Sequence, residues 1–275
     1  MNAGRRMLVR CVISAVIPLA IGCGGGRDAG GAQPKPAAPV ASGTPSPAQP
    51  MHWSGHVAAG KSMEVRTIAG TIHVTAATGD VGEIEAKIHD GDPGSPPTVH
   101  FSEDERGVVA RVEQHEHGCG CDHDRHDGDR HEGSVDFDVK VPAGVHLVAR
   151  SVHGGIDVDG VSGPIDLHTV DGGIAIRSAT SARARTVNGS VTATFSKPDL
   201  DSDCELETVN GQVQVTLPAA ANAELVASTL NGEIKVGFPF TGATDRRSTH
   251  GAIGHGGREL RLRTINGTIE VSRGS

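Results

Sequence analysis

The segment "EQHEHGCGCDHDRHDGDRHEG", residues 113–133, holds the densest reactive chemistry in the chain. It carries His115, His117, Cys119, Cys121, His123, His126 and His131, interleaved with acids. The first five of these fall at every second position, so an extended backbone would put five ligand-capable side chains on one face. Imidazole and thiolate are ligands for Zn²⁺, copper and nickel. Neighbouring carboxylates would concentrate cations and orient ring N–H groups. The spacing fits no familiar zinc finger, and a polar His-rich loop also binds metals loosely. Cys119 and Cys121 would be lost as ligands if an oxidising compartment joined them. The expectation is a transition-metal loop for Zn²⁺, Cu²⁺ or Ni²⁺, with no other cofactor implied.

A second reactive residue is Cys23. It follows a basic start (Arg5, Arg6, Arg10) and the apolar run "CVISAVIPLAI", which is too short to span a bilayer. The ending "LAIGC" resembles the lipobox of bacterial lipoproteins, with Gly22 before the cleavage point and Cys23 as the lipidated residue. Residues 1–22 therefore read as a lipoprotein signal peptide. Acyl chains on Cys23 would anchor a protein that has no spanning helix, at the outer membrane where the cell has one. Residues 23–50 are rich in Gly, Ala, Pro and Ser and bury too little to fold. They read as a disordered tether, roughly 30 Å end to end. Loss of the signal takes away three of the 25 basic residues and none of the 33 acidic ones, leaving −11. That balance excludes nucleic acid as a partner. The expected partners are the membrane, through the lipid, and an envelope protein or glycan.

The elements that would position the loop come from a repeat over residues 51–275. "TIAGTIHV", "SVHGGIDV", "TVDGGIAI", "TVNGSVTA", "TVNGQVQV", "TLNGEIKV", "STHGAIGH" and "TINGTIEV" align on Gly70, Gly154, Gly172, Gly189, Gly211, Gly232, Gly251 and Gly267. A period near 20 residues marks a repeat architecture. The Asn-Gly and Asp-Gly pairs suit positive φ and a sharp turn. Alternation such as Val213-Gln214-Val215 reads as a half-buried strand. With 2% aromatics, the core must be built in thin aliphatic layers.

Two all-β architectures fit. In a hairpin-built β-sandwich, Thr208 faces Val213 and Leu206 faces Val215 across a two-residue loop. In a single-stranded β-helix, or β-solenoid, of about eight short rungs, each unit stacks on the one before. The corner pairs Asn188-Gly189, Asn210-Gly211, Asn231-Gly232 and Asn266-Gly267 then stand in file, about 4.8 Å apart. Stacking rewards identical residues at the corner, which independent hairpins do not need, and so the solenoid is preferred.

The run "VDFDVKVPAGVHLVARSVHGGIDVDGVSGPIDLHTVDGGIAIRS", the lead-in Val139–Gly144 and the repeated T-[VIL]-N-G-x-[IV]-x-[VI] resemble the DUF4097 family. That family carries an adhesin label and is related to toast-rack β-solenoids of bacterial envelopes. The resemblance covers residues 51–275 apart from the insertion at 113–133, and "MHWSGHVAAGKSMEVRTIAGTIHV" resembles the family's opening strand pair. It implies a β-solenoid and supplies no catalytic residues. The chain contains no Gly-x-Ser-x-Gly elbow, no His-Glu-x-x-His and no phosphate loop. The sequence reading is a non-catalytic envelope binding or scaffold module, adhesin-like or stress-related. A dedicated metal-binding lipoprotein is the alternative, and a glycan-acting β-helix enzyme is a minor one. His153 and His250 are read as turn residues standing in for Asn. His73 and His168 are read as strand residues on an exposed face. Cys204 is left open between a buried apolar group and a reactive thiol.

Overall fold

The computed structural model describes residues 51–89, 96–113, 133–178 and 181–274. Residues 1–50, which include the expected signal, Cys23 and the expected tether, and all seven candidate metal ligands lie outside the described residues.

The described chain is all strand and turn. Its first third comprises β1 (Met51–His56), β2 (Ser62–Arg66), β3 (Ile72–Ala76), β4 (Val81–His89), β5 (Thr98–Asp104) and β6 (Gly107–Glu113). Next come β7 (Ser134–Val141), β8 (His146–Arg150), β9 (Ile156–Asp159), β10 (Ile165–His168), β11 (Ile174–Ser178), β12 (Ala182–Asn188) and β13 (Val191–Phe195). The remainder is β14 (Cys204–Asn210), β15 (Val213–Leu217), β16 (Ala223–Asn231), β17 (Ile234–Val236), β18 (Phe240–Thr244), β19 (Ser248–Ile253), β20 (Glu259–Asn266) and β21 (Ile269–Arg273).

Two sheets result. One runs β1-β4-β7-β3-β9-β11-β13-β15-β21-β17, the other β18-β19-β16-β20-β14-β12-β10-β8-β2-β6-β5. Each repeat unit gives one strand to each sheet, and like strands stack parallel and in register. Val213 lies opposite Val191 and Ile269, while Leu206 lies opposite Ala184 and Leu262. This is the β-solenoid. The hairpin pairings Thr208–Val213 and Leu206–Val215 are not made, because β14 and β15 belong to different sheets. Likewise β1 and β2 do not pair with each other: β1 lies against β4, and β2 lies between β6 and β8.

The alternation of the sequence fixes which side faces in. Ile72, Ile156, Ile174, Val191, Val213 and Ile269 form one fully buried column, and Val65, Ala149, Leu167, Ala184, Leu206 and Leu262 form the one opposite. Each such Ile or Leu contributes about 1.5–3 kcal/mol on burial. The small Ala positions let the sheets approach where no aromatic ring is available.

The rungs do not stack strictly in chain order. The pair β20/β21 lies between β14/β15 and β16/β17. The reason is the β18–β19 hairpin, which lies antiparallel on the far side of β16 and occupies that edge. This hairpin also contains "STHGAIGH". Thr249 and His250 pair with Ala227 and Val226 across the antiparallel ladder, so the unit around Gly251 forms no corner. His250 is a strand residue and not a turn residue. Seven of the eight aligned units are rungs.

Candidate binding face

The corner of each rung explains the motif T-x-N-G residue by residue. The glycines Gly70, Gly154, Gly172, Gly189, Gly211, Gly267 and Gly232 stand in file. A Cβ added to any of them would lie 1.8–2.2 Å from a carbonyl oxygen, which from Gly154 onward belongs to the preceding glycine of the file. Only Gly70 and Gly154 have φ in the left-handed region. Close approach, more than the positive φ expected from the sequence, is therefore what demands glycine here.

The other two corner residues satisfy polar groups. Thr186 Oγ1 donates to the Gly172 carbonyl at 2.8 Å, Thr208 to Gly189 at 2.8 Å and Thr264 to Gly211 at 3.0 Å. These threonines are buried, and their hydroxyls cap the carbonyl that the close approach would leave unmet. The Asn side chains form a ladder. Asn231 donates to Asn266 (2.8 Å), Asn266 to Asn210 (2.7 Å), Asn210 to Asn188 (2.9 Å) and Asn188 to the carboxylate of Asp171 (2.6 Å). His153 Nδ1 meets the second Asp171 oxygen at 3.1 Å. An aspartate fits this position because it accepts from both sides, while an amide accepts at one atom only.

The residue between Thr and Asn points outward. Ile68, Val152, Val170, Val187, Val209, Ile265 and Leu230 make a straight aliphatic row, one side chain per rung. Leu230 is 56% exposed, Ile265 43% and Val152 38%. The residue just before the corner Thr or Ser of each rung belongs to a second outward row, parallel to the first, which ends at Ser228. Arg111, Arg66, Arg150, His168 and Arg185 follow one another in register, and Glu207 and Arg263 come next. His100 extends the row beyond Arg111. Thus five Arg and two His share this row with one acid, in a chain of net −8. Arg185 reaches Glu205 and Glu207 at 2.9 and 3.1 Å, and Arg263 reaches Glu207 at 3.6 Å. Arg150 and Arg111 make no ion pair among the described residues. Between the two rows, from Thr186 to Ile265, runs an open groove of about 570 Å³.

The outer face of the other sheet differs. Glu83, Glu85, Asp136, Asp138, Asp157 and Asp159 stand there with Lys87, Lys140 and Arg177. The hydrogen bond from Lys140 and its charge hold Glu83 below the ordinary carboxylate range, and Asp138 likewise raises Lys87. His73 lies exposed in β3 on this face, and His168 is exposed in β10 on the opposite one, as expected of strand positions.

Among the described residues, no cluster of three or more His, Cys, Asp or Glu is disposed to hold a metal. Cys204 is buried, and burial pushes its thiol up to about 12. At neutral pH it is a small apolar core group, because the thiolate is the reactive form.

Residues 132–272 match the family model for Toastrack DUF4097, and the chain belongs to this family. Among solved structures, a candidate cell adhesion protein from Clostridium sporogenes is 10% identical, with a TM-score of 0.48 over 82% of this chain and 100% of that chain. A candidate adhesin from Bacteroides fragilis is 9% identical, with a TM-score of 0.28 over 82% of this chain and 98% of its own. No curated protein matches the chain.

Proposed function

We propose that this chain is a lipid-anchored envelope β-solenoid that works as a non-catalytic binding module. The observation that carries the reading is the pair of outward rows, which repeat the same side-chain chemistry once per rung along one face. A surface that repeats in one direction suits a partner that does the same. The lipobox-like "LAIGC" supports anchoring through Cys23, and residues 23–50 would serve as the tether.

Replacing Cys23 by alanine is expected to move the chain from the membrane to the soluble fraction. Unchanged partitioning would overturn the anchor. The immobilised chain is expected to retain envelope polymers or proteins; retention of nothing would overturn the binding module.

The insertion at 113–133 adds a metal-binding capacity to this reading, supported by His115, His117, Cys119, Cys121 and His123 at alternate positions, with His126 and His131 following. Titration with Zn²⁺, Cu²⁺ or Ni²⁺ should give heat with the full chain and negligible heat after deletion of 113–133. Equal heats from both would place any metal binding elsewhere.

A further inference from the structure

Building on the binding-module reading, we infer that the cationic and aliphatic rows together form a docking track for an extended, carboxylate-bearing polysaccharide. The geometry selects a linear polymer running along the stack. Consecutive positions in each row are one strand spacing apart, about 4.8 Å. An extended peptide repeats its same-side groups at about 6.6–6.8 Å, which falls out of step after two rungs. A pyranose linked through opposite sides of its ring is about as long as one rung; successive rings turn over, so a uronate chain presents same-side carboxylates every second ring, in step with Arg150, Arg185 and Arg263 on alternate rungs.

The chemistry of the track matches that repeat. Arg presents a planar fork suited to a carboxylate, and the row contains no Lys. Arg150 and Arg111 stand exposed and make no ion pair among the described residues. Arg185 is held by Glu205 and Glu207, and Arg263 by Glu207 at 3.6 Å; the guanidinium groups of these pairs are solvent-facing, while the carboxylates are half-buried. The aliphatic row beside them offers contact to the C–H edges of the rings. Beneath lie the buried threonines, whose hydroxyls are already spent on glycine carbonyls, so the groove floor does not compete for the ligand. No aromatic platform stands in either row, so affinity must come from charge.

A flat anionic bilayer fits less well. Glu64, Asp166 and Glu205 share the next outward row with Arg183 and Arg261, so a plane covering both rows meets three carboxylates for two further cations.

The test uses the full chain carrying Cys23→Ala, in detergent-free buffer, with polygalacturonate as the probe. The comparison ligands are the same polymer with its carboxyls reduced, polyglutamate, polyphosphate and phosphatidylglycerol vesicles. Polygalacturonate should bind best, weaken as salt rises, and lose affinity when reduced. The double variant Arg150→Gln/Arg185→Gln should bind at least about tenfold more weakly, the loss expected from removing one to two charge-assisted contacts. Val187→Ser should weaken binding with its salt dependence unchanged. Arg177→Gln, on the opposite face, should bind as the parent does, with circular dichroism confirming the fold of every variant. Tighter binding of polyglutamate, polyphosphate or vesicles would overturn the proposal. So would equal losses from Arg177→Gln, or no binding of polygalacturonate. If polygalacturonate fails while the chain still retains other envelope material, the glycan track falls and the binding module stands. If both fail, both fall.

Discussion

Gly211→Ala is expected to lower the unfolding free energy by about 3–5 kcal/mol, a loss reserved for clashes that cannot relax locally. The added Cβ would lie 2.0 Å from the Gly189 carbonyl oxygen, which already accepts the Thr208 hydroxyl. That oxygen is backbone and cannot swing away. Relief requires two rungs to separate, which breaks the Gly189 N–H bond to the Asn210 carbonyl and the Asn210–Asn188 ladder bond. Gly60→Ala is the control. Gly60 has φ +85° but nothing within 4 Å of an added Cβ, so only backbone strain is added, about 1–2 kcal/mol. Urea denaturation of both variants checks the difference. Equal shifts in midpoint would show that conformational strain, and not close approach, is what glycine relieves at the corner.

Ending the chain after Arg258 should cost more than one rung. In a simple solenoid, loss of the last repeat trims one end, since each repeat touches only its neighbours. Here β20 and β21 are interior. Their removal strips a partner from β14 and β16 in one sheet, and from β15 and β17 in the other. It also withdraws Leu260, Leu262, Ile269 and Val271, all fully buried. At about 1.5–3 kcal/mol each, these four rival the whole stability of a domain, about 5–15 kcal/mol. Hydrogen exchange on the truncated chain should show protection lost across residues 204–253 and kept in β7 to β12. Protection that survives in β14 and β16 would mean that those two rungs close on each other without the wedge.

Much of this was legible in the residues. T-x-N-G at a period near 20 announced stacked corners, and the columns of Asn188, Asn210, Asn266 and Asn231 follow from it. The order of that column was not legible. The units at 208, 229 and 264 carry the same motif, and any of them can stack on any other. Only the β18–β19 hairpin, by filling one side of β16, decides which side the next rung takes. "STHGAIGH" misled because it shares the Ser/Thr-x-x-Gly spacing, with Ser248 three residues before Gly251. Its last position holds His255 where the rungs carry Val, Ile or Ala, and that departure was the available sign. The cationic row could have been read from the residue preceding each Thr, since Arg66, Arg150, Arg185 and Arg263 share that offset. It went unseen because a lone Arg on a strand looks like ordinary solvation, and only in-register pairing turns separate residues into a line.

The interleaved rung also sets a schedule. In a chain delivered to the envelope N-terminus first, residues 223–253 emerge before 259–271. For that interval β16 and its hairpin must wait apart from β14, holding open a slot whose two walls are sheet edges primed to pair. Whatever enters the slot first decides the topology. The chain's own later strand wins by being tethered close by, and a slowed or crowded emerging chain would offer the same opening to a neighbour's strand.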